Sequence, residues 1–329
     1  MELSEFPTPE PSEGEALIKV EAVGICGSDV HGFTGASGRR APGMVMGHEI
    51  SGSVMEINAD ASSLQVGDRV TVYNNTACGV CPHCRSGNEQ RCEERRIVGV
   101  NAGTWGAMAE YLAFPVSGLF KLNGHVTPGA ALLAEPLAVG LHAIEHMSPD
   151  PQDAVAIVGS GTIGMGLAMA LRVKGIESVY ALDILDNKLS LIAELGAHPI
   201  NAANCDAAAE LREQNGGRPA AGVFEAVGSA QTVRDAYELL GPGGKLIVIG
   251  NLDKEFTLPM QGITDRETLI RGSYGFTRSE FADAVDLINQ GSVPVEGLIS
   301  GYCSLEETPQ TMTRLAKGEI DAIKIVIQP

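Results

Sequence analysis

The stretch AVAIVGSGTIGMGLAMALRVKGIESVYALD, residues 154–183, decides the fold. It opens on a short apolar run at 154–158, turns on GSGTIG at 159–164, continues through apolar residues with helical spacing, and closes on a second apolar run ending in Asp183. Residues 154–171 are eighteen uncharged positions in a row, the lower limit for a membrane span. The glycines resolve this run instead into a strand, a turn and a helix, with a second strand to follow. A lone G-x-G-x-x-G is weak in a chain with 40 glycines, and here the context carries it. Gly159 is expected to make the tight turn, Gly161 to let the backbone approach a pyrophosphate, and Gly164 to pack the helix close to the strand. Thr162 and Ile163 open the helix, whose N-terminus offers free N–H groups to a phosphate. Asp183, nineteen residues past Gly164, can accept hydrogen bonds from both hydroxyls of an adenosine ribose. Ile184 beside it offers no positive charge to a 2'-phosphate, so NAD is expected rather than NADP. The competing reading is a glycine turn used only for packing, with Asp183 capping a helix.

Downstream, HPINA, AGVFEAVG, TVRDAYELL and KLIVIG continue the alternation of strand and helix, which implies a parallel sheet covered on both faces. Upstream of about residue 141 the texture differs: ALIKVEAVGIC, EISGSVMEI and DRVTVYN are strand-like runs separated by turns. After 277 come a helix, SEFADAVDLINQG, and a tail ending in AIKIVIQ. The expected fold class is α/β: a β-rich domain over 1–140 rejoined by 278–329, and a doubly wound parallel-sheet domain over 141–277. A length of 329 residues suits two domains. The net charge of -18, with no basic block, excludes nucleic acid and anionic membrane surfaces as partners. The start, MELSEFPTPEPSEGEAL, lacks the apolar core of a secretory signal. Seven cysteines, an odd and clustered set, fit a cytoplasmic protein with metal-bound thiolates better than a secreted disulfide scaffold.

Four of those cysteines, Cys78, Cys81, Cys84 and Cys92, lie in CGVCPHCRSGNEQRC at 78–92. The spacing C-x2-C-x2-C-x7-C can aim four thiolates at one tetrahedral zinc, a site closed to substrate. A redox dithiol needs only one C-x-x-C pair at a helix start, and the loop-like residues between these cysteines favour structural zinc. His83, inside the cluster, is expected to be solvated. Elsewhere Cys26 lies in GICGSDVH, His48 and Glu49 in MVMGHEISGSV, and Glu135 in LLAEPLAVG. Taken singly these read as a buried thiol, a core histidine and two unremarkable carboxylates.

Together, GICGSDVH, GHEISGSV, VGDRV, the cysteine cluster, GAMAEY, EPLAVGLHA, VGSGTIG and GPGGKLIVIG run in order over nearly the whole chain. In this the sequence resembles the medium-chain zinc-dependent alcohol dehydrogenases of the polyol branch, which includes sorbitol, threonine and butanediol dehydrogenases. The resemblance implies a GroES-like catalytic domain joined to a Rossmann domain, and two zinc ions per chain. Cys26, His48 and Glu49 would hold a catalytic zinc, with Glu135 as an exchangeable fourth ligand or a partner through water. Cys78, Cys81, Cys84 and Cys92 would hold the structural zinc. Ser28 and His31 would form a proton relay. The turn Gly159–Gly164, Asp183, Lys188, Ile249 and Gly250 would receive NAD. The implied activity moves a hydride from a secondary alcohol of a small polyol or hydroxy acid to NAD. A threonine- or butanediol-type dehydrogenase is the alternative, and a non-catalytic dinucleotide-binding relative a more distant one. The family's habit adds a homodimer or homotetramer, with contacts at and after KLIVIG.

Some features depart from the family. A further strand is expected ahead of MELSEFPTPEP, about fifteen residues by ordinary element lengths. Sorbitol dehydrogenases carry a tyrosine directly after the relay histidine, where this chain has Gly32. They carry an Arg-Tyr pair where it has Gly275 and Phe276, so sorbitol itself is not the expected substrate. Residues 32–43 offer Arg39 and Arg40 instead. These are either a receptor for a carboxylate or sulfonate or part of a solvated turn.

Overall fold

A computed structural model describes residues 1–60 and 62–329. They form two compact units, residues 1–135 with 277–329, and residues 136–276. The first part of the chain gives β1 (Glu15–Ile25), β2 (Glu49–Asn58), β3 (Arg69–Val72), β4 (Asn75–Thr76), β5 (Arg96–Ile97), β6 (Tyr111–Pro115) and β7 (Leu119–Lys121). The middle gives β8 (Val155–Val158), β9 (Val179–Asp183), β10 (His198–Asn201), β11 (Ala220–Glu225), β12 (Leu240–Val248) and β13 (Leu269–Gly272). The last part adds β14 (Ile299–Ser304) and β15 (Lys324–Gln328).

In the first unit, β1 organises a sheet of order β14-β15-β1-β2-β3-β7. Along one edge it pairs antiparallel with β2. Along the other it is shared: residues 15–19 pair with β6 and residues 23–25 with β15. Period-two alternation drives this, with Ala16, Ile18 and Val20 buried and Lys19 exposed. These side chains join Ile50, Val54, Val70, Val72, Phe114 and Ile327 in one core. The tail of the chain therefore rejoins the β-rich part through β15. The register sets Gly24 opposite Glu49 and Ile25 opposite Ile325, so the strand that ends just before Cys26 lies between the strands that begin at Glu49 and Lys324. The cysteine-rich loop projects between β4 and β5, a two-stranded ribbon of its own.

The second unit is a parallel sheet of order β10-β9-β8-β11-β12-β13. The order reverses between β8 and β11, which in doubly wound sheets is where a dinucleotide binds, outside the carboxyl ends of the strands. All four β8 residues are buried, as a parallel strand covered on both faces requires. The uncharged stretch 154–171 is thus strand, turn and helix. Among the described residues no helix is long and apolar enough to cross a membrane.

Candidate functional site

Two groups of metal-ligating atoms converge in the first unit. The Sγ atoms of Cys78, Cys81, Cys84 and Cys92 all lie within 4.8 Å of one another. The separations of 3.5 Å for Cys81–Cys84 and 3.9 Å for Cys78–Cys84 bracket the ~3.8 Å edge of a tetrahedron with ~2.3 Å zinc–sulfur bonds. They are far beyond a sulfur–sulfur bond of ~2.05 Å. The backbone N–H of Cys81 donates to Cys78 Sγ, and that of Cys84 to Cys81 Sγ, each at 3.4 Å, which favours thiolates. Cys78 is lowered below an ordinary thiol, first by the N–H groups of Val80 and Cys81. Cys84 is raised, first by burial and then by its neighbour Cys81. Such a set fits one zinc, and four sulfurs leave it closed. His83 is exposed and outside the set.

The second group joins Cys26, His48 and Glu49, whose ligand atoms also lie within 4.8 Å of one another. Cys26 follows β1 and precedes the helix Gly27–Phe33, while His48 leads into Glu49 at the start of β2. His48 is 4% exposed and Glu49 1%. A thiolate, an imidazole and a carboxylate are three protein ligands, the number that leaves a zinc with an open position. Glu135 lies outside this three-residue set. Its Oε1 accepts from Asn74 Nδ2 at 3.4 Å, and the same amide donates to the carbonyl of His48 at 2.9 Å. Glu135 is pushed up to about 7, first by burial and also by the charge of Glu49.

Asp29 ties the group together from behind. Its Oδ2 accepts from the backbone N–H of Cys26 at 3.1 Å, and its Oδ1 lies 3.3 Å from His48 Nδ1. His48 Nδ1 has no hydrogen-bond partner by geometry among the described residues, so this is an ion-pair contact, and it leaves the other ring nitrogen for metal. Burial opposes both charges. Even so, Asp29 is held below the ordinary carboxylate range by His48 and Arg40, and His48 is held well above the ordinary imidazole range by Asp29. Arg40 is not part of a solvated turn. Its side chain is 5% exposed, and Nη2 bonds Asp29 Oδ1 at 2.6 Å.

Ser28 and His31 sit three residues apart on Gly27–Phe33, and that spacing puts them on one helix face. Both are half-buried. Phe276, expected near a substrate pocket, is 1% exposed.

In the second unit, GSGTIG bends between β8 and the helix Thr162–Val173. Gly159 has φ +99°, which an L side chain rarely adopts. A Cβ on Gly164 would lie 2.0 Å from the Gly159 carbonyl oxygen, whereas one on Gly161 would meet nothing within 4 Å. Gly161 caps the helix without a side-chain hydrogen bond, which leaves its first N–H groups for an anion. Asp183 ends β9, and its Oδ2 accepts from the Ser160 N–H at 2.8 Å. Lys188 is half-buried one turn into the helix Asp186–Glu194. The N–H groups of Ile249 and Gly250 donate to the Glu225 carbonyl at 2.8 and 3.0 Å, placing both at the carboxyl end of the sheet. These groups fit a dinucleotide.

Residues 12–124 match the model of the alcohol dehydrogenase GroES-like domain, and residues 162–290 that of the zinc-binding dehydrogenase. The chain is 30% identical to the L-galactonate-5-dehydrogenase of Escherichia coli (strain K12), covering 97% of this chain and 93% of that protein. It is 31% identical to the erythritol/L-threitol dehydrogenase of Mycolicibacterium smegmatis, covering 99% and 94%. This chain is a medium-chain zinc-type alcohol dehydrogenase of the polyol branch. The galactitol-1-phosphate dehydrogenase of Escherichia coli superposes on it with a TM-score of 0.89 at 27% identity, covering 99% of this chain and 95% of that one.

Sequence reasoning missed several residues of this dehydrogenase's site, and Lys324 is foremost. Its Nζ donates to both carboxylate oxygens of Glu49, at 2.7 and 2.6 Å, and to the Ile25 carbonyl at 3.2 Å. Both side chains are 1% exposed. Burial works against the ammonium, but Glu49 first, then Cys26, raise its pKa. Gly24 makes the contact possible, because a Cβ there would lie 1.9 Å from Glu49 Oε2. The available signal was a single charge inside the apolar run AIKIVI, where an unpaired lysine would be costly.

Proposed function

We propose that Cys26, His48 and Glu49 hold the catalytic zinc of an NAD-linked dehydrogenase that oxidises a secondary alcohol of a small polyol or sugar acid to the ketone. The convergence of those three ligand atoms within 4.8 Å, two of them on buried residues, carries this reading. Zinc supplies a Lewis acid for the alcohol oxygen, and NAD supplies the hydride acceptor. Asp29 bonds the Cys26 N–H and forms an ion-pair contact with His48, and Lys324 holds Glu49. Ser28 Oγ would accept the hydroxyl proton as it gives up its own, which would pass by way of the cofactor ribose to His31 and on to solvent. Glu135 stands beside the trio as a partner through Asn74. In the second unit the Gly161 end of the helix receives the pyrophosphate, and Asp183 the adenosine ribose. That carboxylate disfavours a 2'-phosphate, so NAD is the expected cofactor. Lys188, Ile249 and Gly250 complete the cofactor's surroundings.

The cysteine cluster holds the second zinc and staples its loop, and thiolates kept for metal suit a reducing cytoplasm. A homodimer or homotetramer is supported by the sheet edge at β13, with Leu269 49% and the nearby Met260 81% exposed. NAD reduction across diols, sugar alcohols and hydroxy acids tests the activity. At least one such alcohol is expected to be turned over, and Cys26→Ser should abolish that turnover. Full activity of Cys26→Ser would refute the assignment.

A further inference from the structure

The guanidinium of Arg40 is buried beside the trio, and three observations bear on it. First, Arg40 and His48 act on the same oxygen: Nη2 is 2.6 Å and His48 Nδ1 3.3 Å from Asp29 Oδ1. The other oxygen of Asp29 binds the Cys26 N–H. Asp29 thus connects Arg40 to two of the three residues of the trio. Second, Nη2 also reaches Ser28 Oγ at 3.4 Å. Third, room for the side chain is made by Gly32: a Cβ there would lie 2.6 Å from Arg40 Cδ and 2.8 Å from Nε. The Nε itself is buried without a hydrogen-bond partner among the described residues. A desolvated guanidinium with an unmet donor is a costly way to fill space, which an aliphatic side chain would do better.

We infer that Arg40, admitted by Gly32, is a positioning residue of this dehydrogenase: it fixes Asp29, and through it His48 and Cys26, in the geometry that binds zinc. The inference rests on the reading of Cys26, His48 and Glu49 as a zinc site. Arg40 is outside the three ligand residues and acts on them through Asp29, so its effect is expected in metal affinity and in kcat rather than in KM.

The test measures zinc affinity of the two-zinc protein by competition with a chromophoric chelator, alongside kcat and KM. In Arg40→Met, one zinc per chain should bind about ten- to a hundredfold more weakly, the usual effect of losing an outer partner of a metal ligand. The other zinc should be unchanged, and kcat should fall more than KM changes. Arg40→Lys, which keeps the charge, should recover part of both losses. Gly32→Ala suits a helix but displaces the Arg40 side chain. It should weaken the same zinc, and adding Arg40→Met to it should weaken that zinc no further than Arg40→Met does alone. Wild-type affinity for both zincs in Arg40→Met would overturn the inference. If that variant does not fold, wild-type zinc affinity in Gly32→Ala overturns it instead. Cys26→Ser separates the two levels. If it loses one zinc while Arg40→Met loses none, only the role of Arg40 fails. If it keeps both, the reading of the trio fails.

Discussion

Lys324 and Glu49 are each 1% exposed, so solvent relieves neither charge if the other is removed. Lys324→Met should destabilise the zinc-free protein by about 3–5 kcal/mol in denaturant titration, the usual result of orphaning a buried charge. Adding Glu49→Gln should recover much of that loss, and a double variant as unstable as the single would contradict the pairing. His48 is shifted in the direction opposite to what its burial alone would give. With its pKa raised by Asp29, the charged ring contributes stability to the zinc-free protein below the unfolded pKa of ~6.5. That contribution is lost as pH rises through the raised folded value. Zinc needs the neutral ring and a thiolate, so binding must expel protons and weaken as pH falls. Calorimetry in buffers of different ionisation heat should therefore show proton release, and a buffer-independent heat would contradict the protonation assigned to His48. At this scale the cysteines, His48 and Glu49 were legible because rare residue types in tight motifs stand out. Lys324, Asp29 and Arg40 were not, because each depends on a contact made across strands or around a loop. Arg40 in particular reads in sequence as an acid receptor or part of a solvated turn, because nothing local shows that Gly32 makes room for its side chain.

The glycine turn and the cysteine loop are the elements whose roles rest on shape. Gly161 and Gly164 should behave differently on substitution by alanine. At Gly161 φ is -79° and a Cβ meets nothing within 4 Å, so stability should change by no more than about 0.5 kcal/mol. NADH affinity, read by fluorescence titration, should nevertheless fall, because the methyl stands where the backbone would approach the pyrophosphate. At Gly164 the methyl meets the Gly159 carbonyl at 2.0 Å, so both stability and affinity should fall. Equal effects at the two positions would contradict the turn's assignment. The strands and the turn were readable because their signals are local: alternation, punctuation by glycine, and β8 as an unbroken apolar run. The sharing of one edge of β1 between β6 and β15 was not readable, since pairing of residues 23–25 with the tail spans almost the whole chain.

The whole molecule carries a net charge of -18, which acts on any anionic substrate over a Debye length. For a sugar acid, kcat/KM should rise with ionic strength as repulsion is screened, while a neutral polyol should show little change. A fall for the acid would point to a local basic receptor. The alternation of strand and helix implied a parallel sheet, and the glycine motif after its first strand placed the cofactor turn, but the strand order β10-β9-β8-β11-β12-β13 was not legible in the sequence. The choice of alcohol was not legible either, because pocket shape depends on side chains distant in sequence, and the two arginines that hinted at an acid proved to include one turned inward.

The claim on which the rest depends is that two separate zinc sites exist and only the quieter one does chemistry. Elemental analysis of zinc per chain, paired with NAD-reduction rates for the wild type, Cys26→Ser and Cys92→Ser, tests it most directly. Two zincs are expected in the wild type. Cys26→Ser should hold one, with a retained fold and no turnover, and Cys92→Ser should lose stability first. Two zincs and normal turnover in Cys26→Ser would contradict the account.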